Sequence, residues 1–346
     1  MKRNKASILI RSVIILATIV LSATLLLLEG WCRFSTFHNL SFPPHQIKYD
    51  KKLGYRYNPE HPFYKDRFRG IAEAHPKNKG VTRIVCLGES STSCDMLADG
   101  SKTWPYRLEQ YMNDCSKEYS FEVINAAVGG YGSRHVLAQC TYQVPLFSPD
   151  VVIIYLGFNG RGVFSETFRQ TPFNVYAPQD NIWERLDKIL INHSYCYFNR
   201  IRWRIEPFLA RHRNHQEVSC FKDSSIPAGF FEDCSAILDS IKAMNALPIM
   251  IRFPIMTARL KMRSNDSTDH ALLLERIKGI GPLARLKGVM EIDMSNLFST
   301  DSAVQARYFF DCVHLNKYGC DVFACALADS LLVRLDKNLG KRGIRE

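Results

Sequence analysis

The sequence is short of the features that mark several large protein classes. Its 346 residues hold 19 Gly and 15 Pro, too few for a collagen-like or low-complexity chain, and no internal repeat is evident. The eleven cysteines include no CxxC pair and no CxxC followed by HxxxH, which disfavours a zinc module. An odd number cannot pair completely within one chain, and several cysteines lie in apolar periodic runs where a thiol acts as a small hydrophobe. Cys220 with Cys234 is the one pairing worth testing. Acid is scarce relative to base, 34 Asp+Glu against 45 Lys+Arg, for a net charge of +11. That excess invites a nucleic-acid or anionic-membrane reading, but the basic residues are spread rather than gathered into one long run, which disfavours a nucleic-acid partner.

What the sequence does have, first, is a long apolar run near its start. From Ser7 to Leu28 the only charge is Arg11, and Val13 to Leu28 carries none. As a helix that stretch is roughly 33 Å long, enough to cross the hydrocarbon core of a bilayer. Lys2, Arg3, Lys5 and Arg11 precede it, so the positive-inside rule leaves the N-terminus in the cytoplasm and sends the rest across. A cleaved signal peptide is the competing reading; the run is long for one and no A-x-A site follows. The expected organisation is a basic tail over 1–11, a membrane anchor over 12–29, a stem over 30–80 and one domain over 81–338.

The stem is rich in aromatic, basic and Pro residues, without sustained helical or strand periodicity. Beyond it, short β-rich runs alternate with helical patterns: Arg83–Leu87, Phe121–Asn125, Val151–Leu156, Pro248–Arg252 and Met290–Met294. Strands separated by helices predict an α/β fold, a parallel sheet with helices on both faces. Thr103 as N-cap and Pro105 near N1 announce the first helix, with Trp104, Leu108, Tyr111 and Met112 on one face. A stripe of Cys320, Phe323, Ala324, Leu327, Ala328, Leu331 and Leu335 predicts a core-facing final helix. Between about 160 and 227 lies a stretch too long for an ordinary crossover. It mixes Trp183, Leu186, Leu190, Tyr195, Tyr197 and Trp203 with Arg200, Arg202, Arg204, Arg211 and Arg213, and reads as a helical insertion with a solvated basic face. A lid, or a patch on anionic lipid, is the sharper alternative.

Four segments fall where a parallel sheet presents its ligands, at the carboxyl ends of strands. After the first strand comes Gly88-Glu89-Ser90-Ser91-Thr92, with Ser90 placed as a nucleophile. After the second comes Val128-Gly129-Gly130-Tyr131-Gly132, whose glycines let a backbone N–H approach a ligand. It lacks the third glycine of a dinucleotide-binding loop and follows the wrong strand. After the third comes Gly157-Phe158-Asn159-Gly160, where Asn159 can donate to a developing oxyanion. Before the last helix comes Asp311-Cys312-Val313-His314, a carboxylate three residues from a His whose tautomer it can fix.

Taken together, in this order, the four segments resemble the SGNH (GDSL-type) hydrolase superfamily over about Arg83 to Leu335, and the chain looks like a membrane-anchored bacterial member. The resemblance implies a three-layer, flavodoxin-like α/β/α sandwich. It also implies Ser90 as nucleophile, His314 as general base, Asp311 as its orienting partner, and an oxyanion hole from Ser90, Gly130 and Asn159. No metal or organic cofactor is called for. Two departures stand out: Glu89 where the family has Asp, expected to alter the hydrogen bonds of the first loop, and Gly160 where Asp is common. The expected activity is hydrolysis of acyl esters, acetyl esters among them, of a small-molecule, glycan or lipid-linked substrate. An O-acyltransferase using the same Ser90, or a non-catalytic glycan binder, are the alternatives.

Overall fold

A computed structural model describes residues 2–39, 47–50, 52–57, 76–97, 99–160, 182–194, 196–197, 201, 204–205, 229–256, 267–299 and 301–339. These fall into two compact units, Met1–Gln46 with Pro178–Asn214, and Ile47–Ala177 with His215–Glu346.

The first unit contains helix α1 (Lys2–Asn39), whose stretch Arg11–Phe34 is long and apolar enough to cross a membrane; its side chains are exposed from Arg11 to Leu28, and Cys32 beyond them is buried. The helix continues beyond the apolar run. Glu29, the first charge after it, forms an i,i+4 pair with Arg33 at 2.8 Å and also accepts hydrogen bonds from Ser194 Oγ (2.8 Å) and the Cys196 amide (3.0 Å). A second helix in this unit, α5 (Ile182–His193), lies inside the predicted insertion, and its Ile182, Trp183, Leu186, Ile189 and Leu190 are exposed. The arginine-rich part of the insertion falls mostly outside the described residues.

The second unit is built on five parallel strands: β3 (Val81–Gly88), β4 (Ser120–Asn125), β5 (Val151–Tyr155), β6 (Leu247–Arg252) and β7 (Met290–Asp293). Their order is β4-β3-β5-β6-β7, the doubly wound order of flavodoxin-like sheets. Each expected strand is present to within two residues. The central ones are legible because a parallel strand covered on both faces is a near-continuous apolar run, as in Val-Val-Ile-Ile-Tyr of β5, every residue of which is buried.

Right-handed crossovers fix the helices. The chain steps one way from β3 to β4 through α3 (Trp104–Cys115). It then returns through α4 (Ser133–Tyr142) and moves the other way through α6 (Phe230–Ala243) and α7 (Ser267–Leu286), so these three pack together opposite α3. The last helix, α8 (Lys317–Leu339), packs on α3. All seven residues of its predicted stripe are at most 1% exposed. Trp104, Tyr155 and Phe323 form an aromatic cluster there, with ring centroids 5.3–6.3 Å apart.

Three expectations change. The segment 30–80 is not without strands: β1 (Ile47–Asp50) and β2 (Gly54–Tyr57) form an antiparallel hairpin, too short and too mixed in aromatic and charged residues to show a period. Thr103 holds the N-cap position of α3, but its hydroxyl bonds Gly100 O (2.8 Å) instead of capping the helix. Cys234 is a buried free thiol rather than half of a disulfide, and Cys220 lies outside the described residues.

Candidate active site

The carboxyl ends of β3, β4 and β5 converge where the strand order reverses, the position at which open α/β sheets form their crevice. At the end of β3 the chain must turn sharply. A Cβ on Gly88 would stand 2.5 Å from both Tyr155 O and Thr92 Oγ1, so only glycine lets the turn lie this close to β5. The turn opens into α2 (Ser90–Ser93), one helical turn closed by Cys94 in the left-handed region. Asn125 Nδ2 donates to Thr92 O (2.9 Å) and Trp104 Nε1 to Ser91 O (3.2 Å), which hold that turn from two sides.

Ser90 Oγ lies 2.7 Å from His314 Nε2, and His314 Nδ1 lies 2.8 Å from Asp311 Oδ2. An ionised carboxylate only accepts, so Nδ1 carries the proton and Nε2 is left to accept from the serine hydroxyl. Asp311 Oδ1 accepts the amides of Val313 and His314, both at 2.9 Å. Burial works to raise the Asp311 carboxyl, but the hydrogen bond and charge of His314 and the two amides outweigh it and hold the group well below the usual carboxylate range. The neighbouring Ser91 is buried with its hydroxyl on Val313 O (3.2 Å).

The other two segments meet this line from the side. The ladder between β3 and β4 continues past the strands, through Ala126 N to Cys86 O and Val128 N to Gly88 O, and carries the glycine loop beside the turn that holds Ser90. Gly130 has φ +81°, a conformation that favours glycine. Asn159 Nδ2 donates one hydrogen to Tyr131 O (2.8 Å), which ties the third segment to the second. An amide NH2 has a second hydrogen to offer.

In the sequence Glu89 is marked only as a departure from the family pattern. The structure gives it a definite place: its carboxylate, 3% exposed, accepts the amides of Gly157 (3.0 Å) and Asn159 (3.1 Å to each oxygen). Glu89 thus bridges the loops after β3 and β5 across the crevice. Burial raises its pKa to about 7, against the lowering pull of those amides and of Arg276. Arg276 reaches the same loop from α7, donating to Gly157 O (3.1 Å). Tyr55 and Tyr57 of the hairpin also touch the glycine loop. Their i,i+2 spacing is visible in the sequence, but nothing there names the loop as their partner.

Among the described residues, no group of three His, Cys, Asp or Glu is arranged to hold a metal ion.

No protein-family model matches the chain. No curated protein matches it either. Among solved structures it is similar to a GDSL-like lipase from Bacteroides thetaiotaomicron, with 12% identity and a TM-score of 0.43 over 73% of this chain and 89% of that one. It is similar to a lipase/acylhydrolase from Enterococcus faecalis, with 14% identity and a TM-score of 0.43 over 73% and 96%. An acetylxylan esterase from Geobacillus stearothermophilus matches with 13% identity and a TM-score of 0.43 over 72% and 94%. What the site can do follows from its own geometry.

Proposed function

We propose that the protein is a membrane-anchored serine esterase of the SGNH type, with Ser90 as nucleophile, His314 as general base and Asp311 as the group that orients it. The observation that carries this reading is the unbroken line from Ser90 Oγ to His314 to Asp311, at 2.7 and 2.8 Å, set at the carboxyl ends of a parallel sheet.

In the reaction, His314 Nε2 takes the Ser90 proton as Oγ attacks the ester carbonyl carbon. The carbonyl π electrons move to oxygen, and the amides of Ser90 and Gly130 with the free hydrogen of Asn159 Nδ2 receive that charge. The tetrahedral intermediate collapses, His314 returns the proton to the departing alcohol, and an acyl group remains on Ser90. Water then repeats the steps with His314 as base, releasing the acid and restoring Ser90. Each donor is held by backbone structure before substrate arrives. Stabilisation therefore costs little reorganisation, and one such donor is worth about 10²–10³ in rate.

The anchor reading is supported by the apolar helix Arg11–Phe34 and by the basic residues before it, which orient the second unit away from the cytoplasm. Such an enzyme works on esters at the membrane surface, and short acyl esters of a glycan or lipid-linked substrate are the class we assign. The test is hydrolysis of p-nitrophenyl esters of increasing acyl length by the full-length protein in detergent. Activity falling with chain length and lost in the Ser90→Ala variant supports the proposal; equal activity in that variant overturns it.

A further inference from the structure

The hairpin β1–β2 takes no part in the five-stranded sheet, yet two of its side chains reach the loop that carries Gly130. Tyr55 and Tyr57, two residues apart, project from the same face of β2. Both are buried, with Val128 and Tyr131, in a small cluster separate from the main core. Tyr55 packs edge-on against Tyr131 at 5.0 Å, and the Tyr131 hydroxyl donates to Tyr55 O. The polar ends of the two hairpin tyrosines close on Gly129. Tyr55 Oη donates to Gly129 O (2.9 Å), while Tyr57 Oη accepts the Gly129 amide (2.7 Å) and donates to Asp95 Oδ2 (2.5 Å). Asp95 follows Cys94, the residue that closes the nucleophile turn.

The covalent geometry turns these contacts into a statement about Gly130. Gly129 C=O and Gly130 N–H belong to one trans peptide, so they lie in one plane and point in opposite directions. A hydroxyl fixed on the oxygen therefore fixes the direction of the N–H. It also draws electron density toward the oxygen, which makes the N–H a stronger donor. The contact is close: an atom in place of a hydrogen on the Gly130 Cα would stand 2.7 Å from Tyr55 Oη. Burial, with the charge of Asp95, pushes the Tyr55 phenol well above its ordinary value of 10.0, so it stays a donor throughout the working pH range.

We infer that Tyr55 and Tyr57 are positioning residues of the oxyanion hole. Tyr55 orients and polarises the Gly129–Gly130 peptide, and Tyr57 ties the preceding amide, through Asp95, to the turn that carries Ser90. The segment between the anchor and the sheet thus supplies part of the catalytic apparatus rather than serving as a spacer. This inference rests on the esterase reading, since only an oxyanion hole gives the direction of the Gly130 N–H a chemical purpose.

The test uses full-length protein carrying Tyr55→Phe or Tyr57→Phe, each of which keeps the ring and removes only the hydroxyl. Outright loss of an oxyanion donor costs about 10²–10³, and here the N–H survives but is less well aimed, so kcat should fall on the order of 10-fold. KM should stay within roughly twofold, because ground-state binding is untouched. The loss should be the same for every p-nitrophenyl acyl length, since all esters share the carbonyl oxygen. Arg56→Ala, on the exposed face of the same hairpin, should leave kcat unchanged. Unchanged kcat in Tyr55→Phe, or a loss that varies with acyl length, overturns the inference. If Tyr55→Phe does not fold, the same criteria apply to Tyr57→Phe, and failure of both to fold assigns the hydroxyls to stability and overturns the inference as well. Should Ser90→Ala retain wild-type activity, it is the esterase reading that fails, and the two outcomes stay distinguishable.

Discussion

Replacing Glu89 with Gln tests the electrostatics of the crevice quantitatively. The carboxyl is buried between the loops after β3 and β5, and its pKa is raised from 4.5 to about 7. A raised acid pKa means that the native state holds its proton between pH 4.5 and about 7 while the unfolded chain has released it. Stability from this group is therefore intact below pH 4.5, declines as pH rises through that window, and is lower by its full amount above 7. Each pKa unit corresponds to about 1.4 kcal/mol, so between pH 5 and pH 8 the wild type should lose roughly 2–3 kcal/mol from Glu89 alone. Gln cannot ionise, and Glu89→Gln should lack that part of the pH dependence. Other groups, including Asp311, whose depressed pKa acts with opposite sign at low pH, are common to both proteins and cancel. Thermal unfolding at the two pH values gives the answer, because a difference of 2–3 kcal/mol is roughly 5–10 °C in Tm for a domain of this size. The same change of Tm from pH 5 to pH 8 in both proteins would refute the reasoning.

Other expectations are independent of that one. His314→Ala removes the base itself, whereas Asp311→Asn keeps its shape and loses the charge that fixes the tautomer. kcat/KM should therefore fall further for the first than for the second, where the loss should be on the order of 10–10³; a folded variant of either with wild-type activity would remove that residue from the mechanism. Phe323→Ala empties a fully buried site against Trp104 and Tyr155 and should cost about 3–5 kcal/mol in denaturant unfolding; a cost under 1 kcal/mol would contradict the packing. A C-terminal alkaline phosphatase fusion, active only outside the cytoplasm, should be active, and activity of a cytoplasm-only reporter would reverse the orientation.

The sequence made the sheet readable because its central strands β3, β5 and β6 are buried on both faces, and burial leaves a near-continuous apolar signature; the edge strands β4 and β7 are partly exposed. The final helix was readable for the same reason, its seven stripe residues meeting the core at helical spacing. Ser90, Gly130, Asn159 and the Asp311–His314 pair stood out because each sits at a strand end or a helix entrance, where local chemistry narrows the choice of residue. Residues that act across the fold were not readable. Glu89 looks like a conservative exchange beside the nucleophile, and only the approach of β3 to β5 shows its carboxylate spanning to Gly157 and Asn159. Tyr55 and Tyr57 lie in a stretch crowded with aromatics, and their partner Gly129 is more than seventy residues away. The length of α1 escaped as well. Beyond Leu28 no apolar period continues, and the helix is accompanied there by the Glu29–Arg33 pair.

The central claim is that Ser90, activated by His314, is the group that attacks an ester. Covalent labelling of the full-length protein with a fluorophosphonate probe, followed by mass spectrometric mapping of the adduct, tests it most directly. The account predicts a single adduct on Ser90, absent from Ser90→Ala and retained in Ser91→Ala. An adduct on Ser91, or labelling that persists in Ser90→Ala, would contradict it.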